Sequence, residues 1–202
     1  MSYDFHGGWD VNSAADFMSA MQIDSQNDPT AKDPILGKYD VKSAIAAYLT
    51  LGFKPSQIIV GIPNYGRLSN VTQMGQTDGL YQTVTGTPAG EYDQSGDAPS
   101  GMFDYKCIMD ASTCKGSGAA LLAGLQKVTV GSNPLNQLAH TPWGYIANKN
   151  QFLTYDDAVS TAYKSQWVIQ NQFAGIMFWE FSGDLDENDS QSLINAAYQA
   201  LK

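Results

Sequence analysis

The sequence predicts an α/β protein with parallel strands, part of a (β/α)8 barrel interrupted by a small α+β insertion. Short strand-like runs stand at the first residues, at Ser56–Pro63 and at Phe173–Glu180. Amphipathic helical stripes follow the first run, precede the third and close the chain. Between them, residues 68–142 turn rich in glycine, threonine and proline, and alternation replaces helical periodicity. Strand, helix, strand, insertion, helix, strand, helix is the order of β/α units. So few strands cannot close a barrel. A fragment, or a chain that pairs with a second copy or a missing half, is therefore expected.

Met1-Ser2-Tyr3-Asp4-Phe5 alternates in parity and runs into His6-Gly7-Gly8-Trp9, a short strand entering a loop. A chain that begins inside such a strand predicts that something precedes it. Residues 10–40 lack periodicity, apart from a short helix expected near Ala14–Met21. Asp40 is placed to cap a helix over Val41–Leu51, whose Val41, Ala44, Ile45, Tyr48 and Leu51 form a stripe, and Gly52 ends it. Ser56–Pro63 is continuously apolar after its first residues, as a strand buried on both faces should be.

Within the insertion, Gly79–Thr85 and Gly101–Tyr105 have strand patterns and Gly118–Leu125 that of a short helix. Trp143–Ala147 is a returning strand with a turn at Lys149-Asn150. Helix resumes at Thr154-Tyr155-Asp156-Asp157 and runs through Gln172, with an aspartate in its first turn. Asp189 or Ser190 is expected to cap the last helix, whose Leu193, Ala196, Ala197, Ala200 and Leu201 face inward. The expected divisions are 1–67, 68–146 and 147–202.

Composition narrows the function classes. The 202 residues are 43% hydrophobic, enough for a sizeable core, and only 15% charged. Net charge is −9 with no Lys/Arg cluster, which disfavours nucleic acid and anionic membranes as partners. No apolar run reaches the roughly 18 residues of a membrane span. Aromatic residues at 11%, with abundant Asn, Gln, Ser and Thr, fit neutral polar ligands such as sugars. Cys107 and Cys114 are either a disulfide of a secreted protein or two buried thiols; without a neighbouring His they make no zinc site, and no metal or cofactor is implied.

The strand ends carry the chemistry. The first offers Tyr3, Asp4, His6 and Trp9, the second Tyr65 and Arg67, the third Trp179 and Glu180. Gly61, Pro63, Tyr65 and Arg67 share one parity, as do Gly175, Met177 and Trp179. Small residues below and large ones at the mouth describe a pocket. Here the chain resembles the family-18 glycoside hydrolases, the chitinases, over nearly its whole length. Met1–Gly7 is similar to that family's sixth barrel strand, Val60-Gly61-Ile62-Pro63-Asn64-Tyr65-Gly66-Arg67 to the seventh, and Gly175-Ile176-Met177-Phe178-Trp179-Glu180 to the eighth. Tyr155-Asp156-Asp157 is similar to the start of the preceding helix. Residues 68–146 fall where many chitinases carry an α+β insertion.

The resemblance implies a retaining hydrolysis of β-1,4-linked N-acetylglucosamine polymers in which the substrate's own acetamide oxygen is the nucleophile. It implies that Tyr3 fixes that acetamide, Asp4 contacts the cleaved sugar and Trp179 floors the subsite before the scissile bond. Trp9 would stack on the leaving side. Tyr65, Arg67, Met1 and Met177 would complete the lining. It also implies secretion, with chitin or its oligosaccharides as partner. The family's Asp-x-x-Asp-x-Asp-x-Glu motif, which ends in the catalytic acid, occurs nowhere in these residues. Leu68 also departs from the family pattern after Arg67. An isolated chain should then be inactive, and its exposed sheet edges should pair with themselves or with an absent N-terminal half. A non-catalytic, chitin-binding lectin of the same fold is the alternative.

Other conspicuous residues have ordinary expectations. His6 should be a hydrogen-bonded supporting group, Trp143 and Trp167 packing residues, Glu91 a solvated loop position, and Asp184, Asp186, Glu187 and Asp189 a solvated face with a helix cap.

Overall fold

Two sheets organise the chain in the computed structural model, which describes residues 1–202. The smaller pairs Ile59–Pro63 (β1) in parallel with Gly175–Trp179 (β8), in a register that sets Pro63 beside Trp179. The chain leaves it at Asn64. Tyr65–Val71 (β2) then enters a six-stranded sheet. There β2 pairs antiparallel with Val84–Gly86 (β3), Met102–Asp104 (β4) and Gln151–Thr154 (β7). Trp143–Ile146 (β6) joins β7, and Gln126–Val128 (β5) forms the far edge. This sheet thus recruits residues on both sides of the 68–146 stretch.

Val41–Thr50 (α1) is capped by Asp40, whose carboxylate accepts the Ser43 N–H at 2.8 Å, and Gly52 closes it at φ +94°. Only Val41 and Ile45 of its stripe are buried, against Val60, Val168 and Met21. Tyr48 and Leu51 face solvent, because no element covers that side of the helix. Ala158–Gln170 (α4) starts at Asp157, which caps it with Ser160, and packs on β8 and on Leu193–Leu201 (α5). Tyr105–Met109 (α2) and Gly118–Leu121 (α3) are short pieces of the insertion, and Cys107 and Cys114 beside them form a disulfide. No helix is long and apolar enough to cross a membrane.

Several expectations are corrected. Met1–Phe5 forms no strand ladder. The segment runs beside β1, with Ser2 Oγ donating to Gly61 O at 3.0 Å, and Asp4 breaks it at φ +59°. Residues 14–21 carry no helix, because distant partners take their backbone groups. Ala14 bridges Thr83, Ala15 N–H donates to Gln82 O, and Met21 N–H to Ala139 O. Strand structure near 79–85 is confined to β3. Residues 151–154, just before the expected helix start, form β7, and α4 stops at Gln170.

β8 is only half-buried, since one of its edges has no partner. The last helix is capped by Ser192, not by Asp189 or Ser190, and Asp184 is a buried acceptor for Leu193 N–H and Ile194 N–H rather than a solvated charge. Glu91 is likewise buried, accepting Asp104 N–H and Lys115 N–H. Trp143 and Phe17 centre the packing beneath the large sheet, as a packing role for Trp143 requires.

Candidate functional site

The segments that end at the mouth of the small sheet meet around a cavity of about 350 Å³ lined by Met1, Tyr3, Asp4, Tyr65, Arg67, Met102 and Trp179. Tyr3 reaches it because Gly61 has no side chain. A Cβ at Gly61 would lie 2.8 Å from Tyr3 Cε1 and 3.1 Å from Met1 Cα. Gly61→Ala is therefore expected to push Tyr3 from the cavity and cost about 1–3 kcal/mol of stability, as overpacking does. Urea unfolding of the variant checks this; an unchanged midpoint would count against the packing described.

Asp4 is the most constrained group. Arg67 grips its carboxylate with a two-pronged contact, Nε to Oδ1 at 3.0 Å and Nη2 to Oδ2 at 2.9 Å, and Tyr65 Oη donates to Oδ2 at 2.9 Å. Such paired charge-assisted bonds fix orientation as well as distance. The left-handed backbone at Asp4 is what turns its side chain to these donors. Burial of the Arg67 head would lower its pKa, but the bonds to Asp4 outweigh that and raise it. The Tyr65 phenol is raised by burial first and then by the Asp4 charge. Tyr3 is raised for the same two reasons, in the same order. Both phenols stay protonated donors at neutral pH. Tyr3 Oη has only the soft Met177 Sδ nearby, at 4.0 Å, so its proton is free for a ligand.

Trp179 forms one wall and is 57% exposed. Its carbonyl is tied to Asn64 N–H at 2.8 Å, and its peptide to Glu180 is cis. An adjoining cavity of about 310 Å³ continues past it, lined by Asn64, Tyr92, Met102, Asp104 and Glu180 among others. Trp9 does not line the first cavity; it stands beside it, half-exposed, with the Arg67 guanidinium 5.3 Å from its ring centre. His6 is buried behind it and bonded to Asp10, in a supporting position.

The structure thus gathers Met1, Tyr3, Asp4, Tyr65, Arg67 and Trp179, sets Met177 behind Tyr3, and leaves Trp9 at the rim. Met102 and Asn64 were not among the expected site residues. Met102 comes opposite Arg67 through the β2–β4 pairing, and no local pattern announces that pairing. No cluster of His, Cys, Asp or Glu is arranged to hold a metal. Chemically, the cavity offers a fixed carboxylate, a free phenol donor and an exposed indole face, which suits a neutral sugar ring.

Comparison with known proteins gives the family. The sequence profile of glycosyl hydrolases family 18 matches residues 1–184. The chain is 29% identical over 188 residues to chitinase A1 of Niallia circulans, covering 91% of this chain and 23% of that protein. Among solved structures it resembles chitinase ChiA74 from Bacillus thuringiensis with a TM-score of 0.79 and 26% identity, covering all of this chain and 30% of the other. Human YKL-39, described as a pseudo-chitinase with retained chitooligosaccharide binding properties, shares the fold at a TM-score of 0.75 and 22% identity. The chain spans between about an eighth and two-fifths of the length of the curated relatives it matches. With a profile covering most of its residues and the cleft built from the same segments, the chain belongs to the glycosyl hydrolases family 18.

Proposed function

We propose that this chain supplies the substrate-positioning part of a chitinase site for β-1,4-linked N-acetylglucosamine polymers. The observation that carries the reading is the convergence of Tyr3, Asp4, Tyr65, Arg67 and Trp179 on one cavity from separate parts of the sequence. In this reading the first residues, which run beside β1 without a ladder, take the place of strand six of a (β/α)8 barrel, β1 and β8 are strands seven and eight, and the large sheet is the inserted domain that deepens the groove.

The Tyr3 hydroxyl donates to the acetamide oxygen and sets its angle of attack. Asp4, held by Arg67 and Tyr65, contacts the sugar that is cleaved. Trp179 carries the sugar's apolar face. The nucleophile is the acetamide oxygen itself, so no second carboxylate is needed at bonding distance. The proton donor lies outside these residues. Asp4 is committed to three hydrogen bonds, and no segment reads Asp-x-x-Asp-x-Asp-x-Glu. The unpaired edges of the small sheet are where other barrel strands, or a second copy, would add. The disulfide supports a secreted location.

General-acid assistance is worth roughly 100- to 10,000-fold. The 202-residue chain alone is therefore expected to leave chitotetraose uncleaved in an overnight incubation read by mass spectrometry. Release of chitobiose above the buffer control would refute the assignment of the acid to another segment.

A further inference from the structure

The two cavities that share Trp179 differ in charge. In the first, the Arg67 guanidinium balances Asp4. The second, of about 310 Å³, has two carboxylates on its wall, Asp104 and Glu180, and no cation. Each carboxylate has one oxygen engaged. Tyr92 Oη donates to Asp104 Oδ2 at 2.5 Å, and Ser182 Oγ donates to Glu180 Oε1. Asp104 Oδ1 and Glu180 Oε2 are left without a hydrogen-bond donor from the protein. Asn64, on the same wall, is fully buried, and its Oδ1 also has no donor.

Free donors are few. The Tyr65 hydroxyl gives its proton to Asp4, the Tyr92 hydroxyl to Asp104, and Asn64 Nδ2 turns to Glu180 O at 3.0 Å. Of the lining aromatic residues, Trp179 alone keeps its polar hydrogen unengaged, on the indole nitrogen. The wall thus presents acceptors to whatever enters.

We propose that this second cavity accepts a glucosamine unit, with its amine protonated, next to the N-acetylated sugar held by Tyr3. An ammonium carries three N–H donors and no acceptor, which is the complement of such a wall. An acetamide would bring its carbonyl oxygen against carboxylate oxygens with no proton between them. The cavity volume lies at the lower end of small-molecule sites, which start near about 300 Å³. The inference rests on the chitin-site reading and narrows its substrate to partly deacetylated chitin.

The surrounding charges favour a cation. Glu91 is buried behind Asp104, and its carboxylate is bonded to two backbone N–H groups, of Asp104 and Lys115. Lys106 stands 3.7 Å from Asp104 Oδ2, but it is bonded to Ser182 O and does not line the cavity. Three carboxylates therefore stand around one side-chain ammonium, and Glu91 and Glu180 have no salt bridge. The Tyr92 phenol registers the same field. It is raised by burial first, then by its bond to Asp104 and by the charges of Asp104, Glu91 and Glu180.

Calorimetric titration of the 202-residue chain with chitotetraose, and with tetramers that carry a single glucosamine at each position in turn, tests the assignment. At least one of these tetramers should bind about fivefold tighter than chitotetraose at low salt, the scale of a partly solvated ion pair. Salt at about 0.5 M should cut the advantage below about twofold. In Glu180→Gln, a change at an exposed side chain, the ratio of the two affinities should fall toward one. If no glucosamine tetramer binds better than chitotetraose, the inference is overturned and the chitin-site reading stands. An advantage that persists at high salt, or that is unchanged in Glu180→Gln, would equally overturn it. Failure of every tetramer to bind would overturn the chitin-site reading, and this inference with it.

Discussion

Asp156→Ala is expected to destabilise the chain by about 3–5 kcal/mol, the cost of stranding one buried charge. Lys164 and Asp156 are both fully buried, with Lys164 Nζ 2.7 Å from each Asp156 oxygen. Ser19 Oγ at 2.7 Å and Ser160 Oγ at 2.6 Å donate to the same carboxylate. Four hydrogen bonds from three donors, on residues 19, 160 and 164, therefore converge on one group. The Ser19 bond ties the loop that backs the cleft to the start of α4. Burial lowers the Lys164 pKa, and only Asp156 and Asp157 oppose that shift. Without Asp156 the ammonium must either remain charged and unpaired or give up its proton.

Chemical denaturation of Asp156→Ala, beside the double change Asp156→Ala with Lys164→Met, measures the effect. The double change should recover part of the loss because no orphaned charge remains. A single-variant loss below about 1 kcal/mol, the scale of exposed pairs, would contradict the buried-pair account.

Trp179→Ala is expected to weaken chitotetraose binding about 30-fold or more, corresponding to about 2 kcal/mol, the threshold for a dominant aromatic contact. The ring closes both neighbouring cavities and stands at the end of β8. Being more than half exposed, it contributes little to the core, so the melting temperature should stay close to that of the parent. Calorimetric titration with chitotetraose gives the affinity. A change under about threefold would remove Trp179 from the ligand contacts, since three-fold is under 1 kcal/mol.

What the sequence disclosed and what it hid divide by range of interaction. β1 and β8 were legible because continuous apolar runs of that length have few alternatives, and Asp40 and Gly52 bound α1 through local chemistry. Residues 14–21 misled because their alanines and methionines favour helix in isolation. The structure instead spends their backbone groups on Thr83, Gln82 and Ala139, far away in the chain. β7 has too few residues to show alternation, and the Asn150 turn before it carried the only local signal, a left-handed residue at φ +49°.

Glu91 looked like a solvated loop charge because its two backbone donors, Asp104 and Lys115, lie elsewhere in the insertion. Site residues followed the same rule. Tyr3, Asp4, Tyr65, Arg67 and Trp179 stood out as polar or aromatic groups after apolar runs. Met102 and Asn64 reach the cavities only through pairing that no short motif encodes.

In the proposed function, the cleft between Tyr3, Arg67 and Trp179 binds a chitin oligosaccharide but lacks its own proton donor. Titrating the labelled chain with chitotetraose while recording indole and sugar anomeric NMR signals tests both halves in one tube. The Trp179 and Trp9 indoles should shift, buried Trp143 should not, and no new anomeric signals should grow in. Shifts centred on Trp143, or the appearance of cleaved sugar, would contradict it.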